Sequence, residues 1–350
     1  MADERVTVAI TTPLEGALVA RIEAVDERLA VRYEPDLLPP LRFPCDHRGI
    51  ESFRRTPEQH KRWQAMVAEA EVLFGLPGDA ASGLAEAVRA AKRLRWVQAT
   101  AGGAGEQVQA AGLSTEELQR VVITRAGGVH AGPLAEFAIL GLLAFIKDLP
   151  RLLADKQARR WDHYAVAELA GATVLIVGLG SVGAEVARMA KALGMRVIAI
   201  NRNGHSDSPD VDEVRPSRFL ADLLPVAQGV VLTLPLTEQT RGMIDAAAIE
   251  RMHTGAVLVN IGRGGVVDEP ALTRALQEGR LAGAALDVFA TEPLPLESAL
   301  WQLPNVLLSP HTAGLSVREN ERIVELFCEN LRRYLAGEQL LSRVQPSLLY

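Results

Sequence analysis

The sequence predicts an α/β protein with two doubly wound parallel sheets, one in each of two domains. Two series of short runs rich in Val, Ile and Leu alternate with helical patterns, one before Pro133 and one after Arg160. Continuous apolar runs of this kind are typical of strands covered by helices on both faces. Their alternation with helices favours parallel pairing. At 350 residues the chain is also too long for one ordinary core, so two domains are expected.

The first series contains an early amphipathic helix, Glu15–Val25, and four predicted strands. The strands are Val6–Thr12, Ala70–Pro77, Leu94–Thr100 and Val121–Ala126. The segment Leu38–His60 interrupts the rhythm, because it is rich in proline and arginine and has little periodicity. We interpret it as a solvated surface connection. A lid or a substrate-contacting loop is the alternative.

The second series begins with a long helical pattern from Pro133 to about Arg160. Its most apolar part, Leu134–Ile146, is too short to span a bilayer and contains Glu136, which favours a buried helix. Six apolar runs then predict strands: ATVLIVG, MRVIAIN, GVVLTLP, GAVLVNIG, GAALDVF and NVLLSPH. A last amphipathic helix follows His311 and is expected to stop at Gly337.

Composition excludes several classes of function. The formal net charge of −6 does not favour nucleic acid as a partner. The two cysteines, Cys45 and Cys328, make neither a disulfide framework nor a metal cluster. The start of the chain, MADERVTVAI, lacks the basic and apolar regions of a secretory signal. We therefore expect a soluble cytoplasmic protein with no metal site and no membrane partner.

A glycine motif predicts dinucleotide binding. Gly178, Gly180 and Gly183 follow the strand ATVLIV and open the helix AEVARMAKAL, which is the context that this motif requires. Gly178 permits a tight turn, Gly180 lets the backbone approach a pyrophosphate, and Gly183 allows close packing of helix on strand. The amino terminus of the helix then presents free N–H groups to the anion.

The end of the next strand indicates which dinucleotide is bound. An acid at this position usually contacts the adenosine ribose, but here the sequence is Asn201-Arg202-Asn203. An arginine pairs well with a 2′-phosphate, which an acid would repel. The three residues therefore favour NADP(H). NAD(H) remains the alternative, with Arg202 in solvent and Asn201 bonded to the ribose.

Three polar residues follow later predicted strands and have the chemistry for reducing a 2-keto acid. Arg263, Glu292 and His311 lie in VNIGRGGVVDE, ALDVFATEPLP and LSPHTAG. The carboxyl ends of the strands face the ligand crevice in an open α/β sheet. Arg263 can hold a carboxylate and polarise a ketone, and His311 can supply the proton. Glu292 suits a carboxylate that orients this imidazole. Taken alone, the three could instead be a loop charge, a turn residue and a structural cap.

The motifs GLGSVG, LPLTEQTRGMID, NIGRGGVVDE, ALDVFATEPLP and SPHTAG resemble, in this order, those of the D-isomer-specific 2-hydroxyacid dehydrogenase family. The resemblance covers nearly the whole chain and is weakest before about residue 65. It implies a flavodoxin-like substrate domain formed by 1–130 and 315–350, with a Rossmann dinucleotide-binding domain, 131–314, inserted between them. It also implies a homodimer in which the helix after Pro133 is part of the contact.

The resemblance assigns roles to individual residues. It implies that Arg263 anchors the substrate, that His311 is the acid/base and that Glu292 is its partner. Gly102 and Gly103, in QATAGGAG, would receive the substrate carboxylate on backbone N–H groups. Asp287 would hold the nicotinamide carboxamide. The residues expected to contact the cofactor are Gly178, Gly180, Ser181, Val182, Gly183, Asn201, Arg202, Asn203, Pro235, Thr240, Ile261 and Asp287.

The predicted function is the reversible, NADPH-preferring reduction of a 2-keto acid such as glyoxylate, hydroxypyruvate or a pyruvate-like acid to a D-2-hydroxy acid. A phosphoglycerate or phosphite dehydrogenase is one alternative. A non-catalytic dinucleotide-sensing protein similar to the corepressors that resemble this family is the other. The short stretch after His311 argues against a phosphoglycerate enzyme with a regulatory domain. The remaining histidines are interpreted as structural or solvated, and the four tryptophans as packing residues.

Overall fold

The computed structural model describes residues 5–345, which divide into two compact units. Unit 1 consists of the positions up to His130 together with those from Leu315 onward, and unit 2 is Ala131–Gly314. Each unit is built on one parallel sheet, so the two-sheet α/β fold expected from the sequence is confirmed.

Unit 1 has a five-stranded sheet in the order β2-β1-β3-β4-β5. Its strands are β1 (Val6–Ile10), β2 (Leu29–Arg32), β3 (Val72–Phe74), β4 (Trp96–Gln98) and β5 (Val122–Thr124). The prediction of four strands was wrong by one, because it omitted β2. This strand is four residues long, lies at the edge of the sheet and is only half buried, and its apolar run, Leu29–Val31, is short and lies between two arginines.

Five helices of unit 1 precede the second unit: α1 (Gly16–Glu23), α2 (Pro57–Ala68), α3 (Ala81–Ala90), α4 (Gly105–Ala110) and α5 (Thr115–Arg120). Capping boxes at Thr56 and Ser114 explain where α2 and α5 begin. The segment Leu38–His60 differs from a wholly solvated connection. Its last four residues belong to α2, and Cys45 and Asp46 are buried within it.

Unit 2 begins with two helices where the sequence predicted one long helical pattern. α6 (Ala131–Ile146) and α7 (Leu149–Ala158) are separated at Asp148, whose backbone is left-handed at φ +54°. Pro150 lies in the first turn of α7, where the missing N–H costs nothing. Most of one face of α6 is buried, and Gly141 lies so close to Ala285 that a side chain there would collide. No described helix combines the length and the apolar content needed to cross a membrane.

The rest of unit 2 forms a seven-stranded sheet in the order β12-β11-β10-β9-β6-β7-β8. The elements are β6 (Thr173–Val177), α8 (Ser181–Ala192), β7 (Arg196–Asn201), β8 (Glu213–Pro216), α9 (Leu220–Leu223), β9 (Gly229–Leu232), α10 (Ala246–Arg251), β10 (Val257–Asn260), α11 (Glu269–Gln277), β11 (Gly283–Leu286) and β12 (Val306–Leu308). The sequence predicted six of these strands. It missed β8, whose sequence, EVRP, is polar because the strand lies at the edge.

The chain order of this sheet locates its ligand crevice. The chain runs from β6 outward to β8, returns, and runs from β9 outward to β12 on the other side. Ligands bind outside the carboxyl ends of the strands at such a switch point, here between β6 and β9. The loop after β6 contains the glycine motif.

The last helix, α12 (Glu319–Leu335), belongs to unit 1. Ile323, Phe327 and Leu331 are fully buried on its apolar face, as the helical spacing predicted. The ring of Phe327 packs 4.9 Å from those of Phe74 and Trp96 in the sheet. The helix ends just before Gly337, which has φ +71°.

Candidate active site

The glycine loop after β6 has the geometry of a phosphate cradle. Gly178 has φ +109°, and a Cβ there would lie 2.8 Å from the Thr233 Oγ1 atom. A Cβ on Gly183 would collide with the Gly178 carbonyl. Thr233, after the neighbouring strand β9, donates a hydrogen bond of 2.6 Å to that carbonyl. The sequence did not single out Thr233, because β9 adjoins β6 only in the folded sheet.

The first turn of α8 has room and donors for an anion. A Cβ on Gly180 would meet no atom within 4 Å, so the space above this backbone is open. Gly180 is the N-cap and offers no side chain to the first N–H groups of the helix. Ser181 is exposed, and Val182 is half buried. These features fit the pyrophosphate of a dinucleotide, which free N–H groups and the helix dipole would hold.

The loop after β7 presents Arg202 and Asn203 at the surface. The Asn201 side chain closes this loop, since its Oδ1 accepts from the Gly204 N–H at 2.6 Å and its Nδ2 donates to the His205 carbonyl at 2.7 Å. Asn201 therefore supports the loop from within, while Arg202 and Asn203 are exposed. The roles of the three toward a cofactor stay predictions.

Two further predicted cofactor contacts lie on loops after β9 and β10. Thr240 Oγ1 donates to the Pro235 carbonyl at 2.7 Å, so one hydrogen bond folds the loop after β9 back on itself. Ile261 is buried directly after β10, and its N–H donates to the Leu232 carbonyl of β9. Both loops lie at the carboxyl edge of the sheet.

The structure brings Glu292 and His311 together from loops after β11 and β12. The Glu292 Oε2 atom lies 2.8 Å from the His311 Nδ1 atom. The other carboxylate oxygen, Oε1, accepts from the Phe289 N–H at 3.0 Å, which fixes the carboxylate against its own loop. A carboxylate only accepts, so Nδ1 carries the proton in this pair. The Nε2 atom is then left to exchange a proton with a reacting group.

The backbone of His311 is held in an uncommon conformation. Its φ is +56°, a left-handed value that few residues other than glycine adopt. The buried Asp287 maintains it: the Asp287 carbonyl accepts from the His311 N–H, and Oδ1 accepts from the N–H groups of Thr312 and Ala313, all at 2.9 Å. Asp287 thus shapes the loop that carries the histidine, a role that its motif did not suggest.

Arg263 follows β10, the strand next to β11 in the sheet. Its side chain is half buried, and Nη1 donates to the Gly262 carbonyl at 2.8 Å. The Arg263 carbonyl accepts from Asn260 Nδ2 at 3.1 Å. Gly264 follows with its Cα against the Phe289 backbone, where a side chain could not fit. Arg263, Glu292 and His311 therefore lie on loops at the carboxyl ends of three consecutive strands.

Gly102 and Gly103 lie in unit 1, in the loop between β4 and α4. Gly102 packs against His130, and a Cβ on it would lie 3.2 Å from the ring Nδ1. The His130 Nε2 atom lies 3.1 Å from the Glu319 Oε1 atom, and His47 Nε2 lies 3.6 Å from the same oxygen. Burial raises the pKa of Glu319, but the two imidazoles outweigh it and lower the pKa to about 2.

The other predictions on single residues have mixed outcomes. His47 and His130 pack in unit 1, in agreement with a structural interpretation, and His205 and His253 are exposed. Trp63 and Trp96 are buried, as expected of packing residues, whereas Trp161 and Trp301 are exposed in the single chain. Cys45 and Cys328 are buried free thiols. Among the described residues no cluster of His, Cys, Asp or Glu has the arrangement of a metal site.

Comparison with known proteins finds relatives that share much of this sequence. Residues 139–313 match the family model described as D-isomer specific 2-hydroxyacid dehydrogenase, NAD binding domain. The chain is 36% identical over 221 residues to (S)-sulfolactate dehydrogenase of Chromohalobacter salexigens, covering 61% of this chain and 70% of that protein. It is 38% identical over 229 residues to glyoxylate reductase of Korarchaeum cryptofilum, covering 62% and 67%.

A solved structure extends the likeness to the whole chain. The D-isomer specific 2-hydroxyacid dehydrogenase of Xanthobacter autotrophicus Py2, in complex with NADPH and MES, superposes with a TM-score of 0.76. It is 27% identical and covers 99% of this chain and 100% of its own. Both units therefore have counterparts in that protein.

Proposed function

Because the chain belongs to the D-isomer-specific 2-hydroxyacid dehydrogenase family, we propose that it catalyses the reversible reduction of a 2-keto acid to a D-2-hydroxy acid with NADP(H). The observation that carries the proposal is the hydrogen bond between Glu292 and His311 at the same sheet edge as the glycine loop. This arrangement combines a proton source with a dinucleotide cradle.

In the proposed mechanism the dinucleotide, when bound, supplies or accepts the hydride. Arg263 binds the substrate carboxylate and polarises the ketone, which a guanidinium can do through two parallel hydrogen bonds. The His311 Nε2–H donates a proton to the carbonyl oxygen as charge develops there. Glu292 holds Nδ1 and stabilises the imidazolium from which that proton comes. Gly102 and Gly103 add backbone N–H donors for the carboxylate.

The proposed substrates are small 2-keto acids, such as glyoxylate, hydroxypyruvate or pyruvate-like acids. Two relatives are named glyoxylate reductase and (S)-sulfolactate dehydrogenase, and both names support this class of substrate. The two named compounds differ in the group attached to the carbon that carries the keto or hydroxy oxygen. NADP(H) is the proposed cofactor because Arg202 is exposed on the loop after β7, where a 2′-phosphate would lie. NADPH is also the ligand of the Xanthobacter structure.

A panel of 2-keto acids assayed with NADPH and with NADH tests the proposal. We expect oxidation of NADPH with at least one small 2-keto acid, a D-2-hydroxy acid as product and a higher kcat/KM for NADPH than for NADH. No oxidation of either cofactor across the panel would refute the dehydrogenase assignment. Equal kcat/KM values for the two cofactors would refute the preference but not the reaction.

We further propose that the protein is a homodimer located in the cytoplasm. Unit 2 exposes apolar side chains on α6, on α7 and just beyond them: Leu140, Leu149, Leu152, Leu153, Trp161 and Val166. A second copy of the chain would remove this surface from water. Sedimentation should give a dimer for the native chain and a monomer for Leu153→Glu. A monomeric native chain would refute the dimer.

The buried free thiols of Cys45 and Cys328 support a reducing compartment, which is why we propose the cytoplasm.

A further inference from the structure

Gly102 is held from two sides by residues of the segment that follows β5. Arg125 Nη1 donates a hydrogen bond of 3.3 Å to the Gly102 carbonyl. The His130 ring covers the Cα atom, and Glu319 fixes that ring through Nε2. β4 and β5 are neighbouring parallel strands, so the loops at their carboxyl ends adjoin. The loop expected to take the substrate carboxylate is thus braced within unit 1.

The Arg125 guanidinium donates to a backbone carbonyl and has no acidic partner in the described part of the chain. It forms no ion pair with any described residue, and its Nε atom is buried without a hydrogen bond. Burial alone lowers the pKa of its guanidinium, with no acid nearby to raise it. The exposed Arg42, in contrast, pairs with Asp46 through two side-chain hydrogen bonds. A half-buried cation with no counter-ion is costly unless a ligand supplies the negative charge.

The backbone of Arg125 is also fixed. Its N–H donates to the Ser342 carbonyl at 2.9 Å, and β5 ends one residue earlier. The guanidinium therefore extends from a rigid point toward the β4 loop. A charge placed in this way keeps its distance from the loop whether or not a ligand is bound, which is what preorganised electrostatic stabilisation requires.

We propose that Arg125 is a positioning residue for the substrate carboxylate, acting through the peptide unit between Gly102 and Gly103. The carbonyl that Arg125 contacts and the N–H of Gly103 belong to the same peptide unit. A cation on the carbonyl oxygen polarises that unit, which makes the N–H a stronger donor to an anion on the other side. The uncompensated charge of Arg125 further favours a negatively charged substrate over a neutral one. This inference rests on the proposed function.

The experiment compares an acid with its neutral ester in variants of Arg125. Native protein, Arg125→Gln and Arg125→Lys are assayed with NADPH and either glyoxylate or pyruvate, whichever is turned over faster, and with its methyl ester. We expect Arg125→Gln to lower kcat/KM for the acid about tenfold or more, mainly through KM. The value for the ester should change less than about twofold, and the KM for NADPH should stay the same.

Arg125→Lys keeps the charge and should retain most of the preference for the acid. Arg125→Met removes the charge and keeps much of the apolar length of the side chain, so it replaces Arg125→Gln if thermal unfolding shows that Arg125→Gln does not fold. Arg120→Gln is the matched control, because Arg120 also donates only to backbone carbonyls of unit 1, those of Val88, Ala91 and Leu94. It should leave the ratio of acid to ester unchanged.

Two results would overturn the inference: an unchanged acid-to-ester ratio in the variant that removes the charge of Arg125, or the same loss of preference in Arg120→Gln. Native protein that reduces no 2-keto acid would instead refute the proposed function. The two failures are therefore distinguishable.

Discussion

The backbone carbonyl of Asp287 accepts the N–H of His311 at 2.9 Å, and the same aspartate binds the next two backbone N–H groups with its Oδ1 atom. Asp287 is 2% exposed and directly follows β11, whereas His311 is exposed and left-handed at φ +56°. The buried Asp287 thus determines the backbone position of the exposed His311. Because Glu292 fixes the ring and Asp287 the backbone, the imidazole is held at both ends.

The Asp287 clamp predicts that its removal lowers turnover without removing His311. Asp287→Ala loses both Oδ1 contacts, and the loop is then free to leave its left-handed conformation. We expect kcat to fall about 100-fold, since a displacement of about 1 Å at a reacting group has effects of that size. Asp287→Asn keeps an oxygen acceptor and should lose less. Steady-state kinetics with NADPH measures both, and an unchanged kcat in Asp287→Ala would contradict the clamp.

His311→Gln tests the proton source itself. Turnover should fall by about 10²- to 10⁴-fold, the range that general acid catalysis supplies, while the Kd for NADPH stays close to the native value. Glu292→Gln should cause a smaller loss, because it removes a partner of His311 and not the proton donor. His253→Gln is a control in the same unit, since His253 is exposed and lies outside the site. Loss of NADPH binding in His311→Gln would count against the acid/base role.

Gly180, which precedes α8, and Gly183, in its first turn, should respond differently to substitution by alanine. A Cβ on Gly180 meets no atom within 4 Å, so Gly180→Ala should fold normally and lose affinity for the dinucleotide. A Cβ on Gly183 collides with the Gly178 carbonyl, so Gly183→Ala should lower the melting temperature. Thermal unfolding and NADPH titration separate the two effects. Normal affinity in Gly180→Ala would mean that the open space is not the pyrophosphate site.

Arg202→Glu tests the choice of cofactor. The proposed pairing of Arg202 with the 2′-phosphate predicts that kcat/KM for NADPH falls at least about tenfold and that for NADH does not fall. Arg218→Glu makes the same charge change at another exposed position of unit 2. Parallel losses in the two variants would point to a general electrostatic effect and against a specific contact.

Glu319 should make unit 1 sensitive to acid. Its pKa is about 2 in the folded chain, against an ordinary value of 4.5. Its stabilising contribution is therefore present above about pH 4.5 and is lost as the pH falls toward 2. Glu319→Gln should cost about 3 kcal/mol at pH 7, because two imidazoles lose their buried carboxylate. Urea unfolding should show this difference shrinking between pH 4.5 and 3, and a constant difference would refute the linkage.

Local sequence determined most of the chemistry of this protein. The spacing of Gly178, Gly180 and Gly183, together with the apolar run before them and the helical pattern after them, predicts the dinucleotide loop, because a turn from strand to helix around a phosphate needs glycine at fixed intervals. Buried strands were found because both of their faces are apolar. The exceptions, β2 and β8, are partly buried edge strands with sequences LAVR and EVRP, in which the apolar runs are short. The left-handed backbone of Asp148 divides one predicted helix into two. The sequence does not show this break, because a left-handed residue hardly changes the hydrophobic pattern.

The sequence by itself determined the residue types of the site, namely a dinucleotide cradle, an arginine, a glutamate and a histidine. Only the tertiary structure decided which atoms meet: Thr233 on the Gly178 carbonyl, Asp287 under His311, and Arg125 on Gly102. The physical reason is that a parallel sheet joins strands that are distant in the chain, so the loops at their carboxyl ends become neighbours. The motif in each loop therefore indicates its chemistry, whereas the order of the strands in the sheet determines which other loops it contacts.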